Sequence, residues 1–213
     1  MRLQAFLVTA PLAFAALLTQ HPTGGGDFYS EVADNLTPWM TVHYGAAILF
    51  PTMALVVWLL LRGLPGRAAA VARVALPVFA VLFGVYEANV GIAGGLAADA
   101  GSRATFDAIV SSPVVGESGI FLSVGSIAWW TAISGAILAL RQAGASAASL
   151  VLLGIGGLMV FHALAGPFAL VALAAAAYLI ERRRPSTRPT HSFSNRPSGS
   201  SSARAAWKAS HSG

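Results

Sequence analysis

From residue 146 to residue 180 the chain runs 35 residues without a single charged side chain. As one helix rising 1.5 Å per residue that run would be about 52 Å long, far more than the ~30 Å hydrocarbon core of a bilayer. It must therefore be two apolar helices with a break between them. Ala165-Gly166-Pro167 supplies the break, since glycine relaxes a helix and proline disfavours helical geometry in the residue before it. Residues 3–19, 40–61, 74–97 and 119–140 each come close to the 20 or so apolar residues that a spanning helix needs, and charged, Gly-rich or Pro-containing stretches bound them. Charge is scarce throughout: 10% of residues are Asp, Glu, Lys or Arg, against about 25% in an average globular chain, too few to cover a soluble surface. The expectation is an all-α polytopic membrane bundle with six transmembrane helices over residues 1–184.

Loop charges orient this bundle, because Lys and Arg concentrate on cytoplasmic loops. Arg2 precedes the first segment. The next loop carries Asp27, Glu31 and Asp34 and no base, and the one after it Arg62, Arg67 and Arg73 and no acid. Asp99, Asp107 and Glu117 against Arg103 follow, then Arg141, and finally Arg182, Arg183 and Arg184. The alternation places both termini in the cytoplasm and favours six spans over five, which would leave the triple arginine outside. A second reading makes the first segment a cleavable secretory signal, with Arg2 as its basic start and Ala13-Phe14-Ala15 as a processing site.

The net charge of +5 divides unevenly: residues 1–181 hold six Arg and eight acids (net −2), and residues 182–213 hold seven bases and no acid (net +7). Residues 185–213 contain nine Ser and three Pro, with Phe193 and Trp207 as their large apolar groups. A segment with so little to bury is expected to be a disordered cytoplasmic tail. Arg182, Arg183 and Arg184 directly follow an apolar helix, where anionic lipid headgroups are the natural partner. No aromatic-interleaved groove or recognition motif accompanies the charge, so nucleic acid is not an expected partner.

The chain has no cysteine, which removes disulfides, thiol catalysis, iron–sulfur clusters and covalently attached haem. It has no Walker loop, dinucleotide fingerprint or nucleophile elbow, and Gly116-Glu117-Ser118-Gly119 has the wrong spacing to imitate the last of these. Ser118 reads as a helix start, and enzymatic activity is not the expectation.

An ionisable group within a spanning helix costs roughly 2.5–3.5 kcal/mol when charged, even on the insertion scale, which makes it a functional candidate. Glu87 is the acid placed deep in a predicted span, with Tyr86 and Asn89 beside it. In its neutral form a carboxyl both donates and accepts hydrogen bonds, so Ser or Thr hydroxyls of a neighbouring helix are its expected partners. A proton or cation relay is the functional alternative. His43, one turn below an expected interfacial anchor at Trp39, and His162 fall on the same membrane face, and His21 adds a third imidazole there. Neutral imidazoles on different helices can ligate a metal or a b-type haem, although no His-x-x-x-His spacing supports the pairing. The loop acids Asp27, Glu31 and Asp34 could gather a cation on that side. Small residues supply the packing surfaces: Gly84, Gly91 and Gly95 form an expected stripe on the third helix, Gly154, Gly156 and Gly157 on the fifth, and Ser123, Ser126, Thr131 and Ser134 line the fourth. Pro51 and Pro77 lie inside predicted spans, where neighbouring helices accommodate them.

Gln20-His21-Pro22 before a Gly-rich acidic loop, Trp39 with His43, and His162 before Gly166-Pro167-Phe168 together resemble a group of small, uncharacterised, multi-pass bacterial inner-membrane proteins. The resemblance covers residues 1 to about 184. It implies a helical fold in a bacterial plasma membrane and brings no activity, cofactor or catalytic residue. Three functions follow as expectations: a small binding or transport module with an outward-facing polar cavity at Glu87, a haem- or metal-binding electron-transfer protein using His43 and His162, and a structural or accessory subunit.

Overall fold

The computed structural model describes residues 2–22, 26–161 and 165–184, and every regular element among them is helical. His162 and the tail from residue 185 to 213 lie outside the described residues. Helix α1 is Arg2–Leu18, α2 Phe28–Asp34 and α3 Leu36–Leu60. Helix α4, Arg67–Tyr86, passes through a π-helical stretch, Glu87–Ala93, into α5, Gly94–Asp99. Helix α6 is Arg103–Val110, α7 Ile120–Gln142 and α8 Ala147–Gly156, which tightens into a 3₁₀ turn, Gly157–Val160; α9 is Gly166–Arg183.

Three of these stretches are long and apolar enough to cross a membrane: Leu36–Leu60, Arg67–Asp99 and Ile120–Gln142. Arg2–Leu18 and Ala147–Val160 are shorter apolar helices, and α9 runs apolar until it closes on Glu181, Arg182 and Arg183. The long uncharged run does divide as its Gly-Pro pair predicts, ending one helix at Val160 and opening the next at Gly166 with Pro167 in its first turn. Proline is tolerated there because a first-turn N–H has no intrahelical acceptor to lose. Pro11, Pro51 and Pro77 lie within α1, α3 and α4 without ending them.

Among the described residues, α3, α4, α7, α8, α9 and α1 pack side by side in that order and close into a ring, with α1 lying along both α9 and α3. Small residues permit the close approaches. A Cβ on Gly135 of α7 would lie 2.8 Å from the Ala68 carbonyl of α4, and one on Gly156 would lie 3.1 Å from Leu173 of α9. Two expectations about such residues fail. Ser123, Thr131 and Ser134 are exposed and do not line an interface. Gly84 has open space where its Cβ would be, whereas Gly91 and Gly95 are packed hard against α3. The cause is the π-helical stretch: its i→i+5 turns take one more residue each than α turns, so faces before and after it no longer align at α-helical spacing.

The two ends of the bundle differ in chemistry. At one end Arg62 of the α3–α4 turn donates to both carboxylate oxygens of Glu181, at 2.9 and 2.5 Å, while Arg184 pairs with the same carboxylate at 3.2 Å and donates to the Leu60 carbonyl. Arg73 of α4 ties down the α3–α4 turn, donating to the carbonyls of Leu61 at 2.6 Å and Leu64 at 2.9 Å. At the opposite end, the stretches expected to be loops fold into α2 and α6. With α5 and Trp39 these enclose a small core of their own, built from Val32, Trp39, Ala97, Ala98 and Phe106.

Candidate functional site

Glu87 begins the π-helical stretch and is completely buried. Neither of its carboxylate oxygens has a hydrogen-bond partner among the described residues, so the expected Ser or Thr partners are not there. Its Oε2 instead faces Nε2 of His43 on α3, 3.8 Å away, too far for a direct hydrogen bond. The pairing is possible because the π-helical stretch has no side chain at Gly91, where a Cβ would fall 2.1 Å from His43 Cδ2. His43 occupies the hollow that this glycine leaves.

Two further contacts hold the imidazole. Its Nδ1 is 2.8 Å from the Trp39 carbonyl one turn back, so that nitrogen donates and Nε2 is left as the basic face toward Glu87. The Trp39 indole stacks on the ring at a centroid distance of 4.0 Å and an interplanar angle of 29°. Trp39 is not the interfacial anchor expected of it. It is buried, and its Nε1 donates to the Gly91 carbonyl at 2.7 Å, which ties α3 to the π-helical stretch at the level of the site. Sequence reasoning missed this role, although the four-residue spacing from Trp39 to His43 and the Gly91-x-x-x-Gly95 pair were both visible. Gly95 receives Met40 and Trp39 as Gly91 receives His43.

His21, in the turn after α1, brings a second imidazole 5.3 Å from His43, centroid to centroid, and 5.4 Å from Trp39. Its Nδ1 donates to the Pro22 carbonyl at 2.7 Å. Burial pulls its pKa below the ordinary histidine value, while the Pro22 carbonyl and the nearby Glu31 carboxylate partly offset that shift. The structure therefore brings together Glu87, His43 and His21, with Glu31 beyond them toward the short helices.

The remaining predicted site residues sit elsewhere. Tyr86 is buried against Phe83, its ring 5.6 Å away, and Asn89 donates to the Val85 carbonyl of its own helix at 2.8 Å. Asp27, expected in a cation-gathering loop, caps α2 through the Ser30 N–H and pairs with Arg103 of α6 at 2.6 Å. The Arg103 guanidinium is the main reason that its pKa lies below the usual carboxylate value. Burial raises the pKa of Glu117 in the same region. No group of three His, Asp or Glu residues converges on a possible metal position among the described residues. A haem iron bound to His43 through Nε2 would have to displace the Glu87 carboxyl that faces it.

The chain matches no known family, and neither the curated proteins nor the solved structures include a significant match to it.

Below the site the core is apolar and carries a cluster of aromatic rings. Phe83 and Phe79, one and two turns before Glu87, pack with Phe50 of α3 at 4.5 and 6.1 Å. Phe50 meets Phe14 of α1 at 4.8 Å, and Phe79 meets Trp129 of α7 at 4.7 Å. These five rings lie between the carboxyl and the arginine-rich end. Polar groups thus lead to Glu87 from one end of the bundle and stop there.

Proposed function

We propose that the chain is a six-span protein of the bacterial plasma membrane, with both termini cytoplasmic, that takes up and releases a proton at Glu87. The observation that carries this reading is a fully buried carboxyl with no hydrogen-bond partner among the described residues, aimed at a histidine 3.8 Å away. A buried polar group left unsatisfied costs roughly 1–3 kcal/mol, and packing alone would be better served by leucine. His43 and His21 supply exchangeable nitrogens between Glu87 and the acidic end, and the five aromatic rings block further travel. The site is thus loaded and unloaded from one side, as a proton-coupled binding module requires.

Six spans are supported by the helix ring and by arginines gathered at the end where α3 and α9 finish. Cysteines introduced as Ser30→Cys and Ala104→Cys should react with an impermeant maleimide in intact cells, and Ala70→Cys and Ser200→Cys should not. Labelling at Ser200 would mean an odd number of spans or the reverse orientation.

Infrared difference spectroscopy on the full chain in lipid vesicles, recorded as external pH is stepped, tests the proton site. A carboxylic-acid band should change with pH, vanish in Glu87→Gln, and shift its midpoint in His43→Gln. A band unaltered in Glu87→Gln would end the proposal and leave a structural subunit as the better reading.

A further inference from the structure

A cavity of about 250 Å³ opens at the arginine-rich end, between the α7–α8 turn and the end of α9. At ~30 Å³ per water it equals about eight waters, room for a phosphate diester. Its apolar wall includes Leu140 and Ile180, and its polar wall is Ser146, Ser149, Arg183 and Arg184.

The guanidiniums that face it are only partly committed. Arg184 spends Nε on Glu181 and Nη2 on the Leu60 carbonyl, which leaves Nη1 without an acceptor among the described residues. Arg183 makes no hydrogen bond or ion pair with a described residue and is exposed. Glu181 is the one acid at this corner and is already held by Arg62, so Arg62, Arg183 and Arg184 against Glu181 leave two positive charges uncompensated. Burial, the largest effect on Arg184, and the neighbouring Arg62 both lower its pKa.

We infer that this cavity binds the phosphate of an anionic phospholipid, with the Arg183 and Arg184 guanidiniums on the phosphate oxygens and the lipid's glycerol and upper acyl carbons against Leu140 and Ile180. Guanidinium matches phosphate with paired, charge-assisted hydrogen bonds. The mixed wall favours a lipid over a free anion: the apolar side chains of Leu64, Leu140 and Ile180 beside the arginines suit glycerol and acyl carbons and give inorganic phosphate nothing. The inference is independent of the proton reading, because it uses residues at the opposite end of the bundle.

The test uses the purified full chain in neutral detergent and measures the thermal unfolding midpoint against added short-chain phosphatidylglycerol, short-chain phosphatidylcholine or inorganic phosphate. Phosphatidylglycerol should raise the midpoint saturably and the other two should not. Arg183→Gln should weaken the apparent affinity about tenfold, as expected for one charge-assisted hydrogen bond. Arg182→Gln removes the same charge from an exposed position that does not line the cavity, and should change it less than about twofold. Equal losses in the two variants would reduce the effect to general attraction and overturn the site. A response to inorganic phosphate as strong as that to phosphatidylglycerol would overturn the lipid as its occupant.

Discussion

Replacing Gly91 by alanine tests the geometry on which the Glu87 site depends. The added Cβ would lie 2.1, 2.5 and 2.7 Å from Cδ2, Cγ and Cβ of His43. Because His43 Cβ is among the three, rotating the ring cannot relieve the clash, and α3 itself must move away from the π-helical stretch. That movement stretches the 2.7 Å bond from Trp39 Nε1 to the Gly91 carbonyl. Overpacking costs about 1–3 kcal/mol, and leaving a buried donor and carbonyl unsatisfied costs about 1–3 kcal/mol. Alanine's better helix propensity returns at most about 1 kcal/mol. The net expectation is a loss of about 2–4 kcal/mol. Gly84→Ala is the internal control: no atom lies within 4 Å of its Cβ, so the propensity gain stands alone and the change should be neutral or mildly stabilising. Denaturant titration in micelles, followed by far-ultraviolet circular dichroism for the helices and tryptophan emission for Trp39, measures both. If the two alanine variants unfold at the same midpoint, the close packing of α3 on Gly91 is not real and the Glu87–His43 distance loses its basis.

Glu87→Leu should stabilise the protein by roughly 1–3 kcal/mol in the same titration, because it removes an unsatisfied buried polar group; a destabilised leucine variant would reveal a partner for the carboxyl. Glu181→Gln should destabilise by about 1–3 kcal/mol, since it weakens a bidentate pair whose carboxylate side chain is 8% exposed and leaves Arg62 and Arg184 facing one another; an unchanged midpoint would place that pair among inconsequential surface contacts. The lowered pKa of His21 makes the unfolded chain bind more protons just below the ordinary histidine value of 6.5, so its contribution is full above that pH and is lost as pH falls through the window beneath it. Glu117, with a raised pKa, acts in the opposite sense, so stability against pH should be compared between the parent and His21→Gln, whose curve should be flatter below pH 6.5.

What the sequence could and could not reveal follows from the range of each signal. Apolar length, the break at Gly166-Pro167 and the inward burial of Glu87 are set by local composition and helical period, and they are legible in one chain. The cap was not. Residues 28–34 and 103–110 are short and charged enough to read as loops, and as helices they are held by contacts distant in sequence: Phe106 meets Phe28 and Tyr29, and Phe28 meets Trp39, at 5.3–5.5 Å. The stripe at Gly84, Gly91 and Gly95 assumed 100° per residue throughout, and one π-helical stretch defeats that arithmetic over seven residues. Where it fails is informative. A π-helical stretch replaces well-formed α-helical bonds with poorer ones and persists only where surrounding contacts hold it, and here the Trp39–Gly91 bond and the seated His43 do so. The irregular backbone, the buried carboxyl without a hydrogen-bond partner among the described residues and the stacked imidazole are thus one arrangement: the first two cost stability, and all three occur within about two helical turns of Gly91 or across from it on α3. Five aromatic rings immediately beneath them impose no such cost. A chain selected only to pack would continue apolar side chains through position 87, and the abrupt change from phenylalanine to a buried glutamate at one level of the bundle is the feature on which the proposed proton site rests.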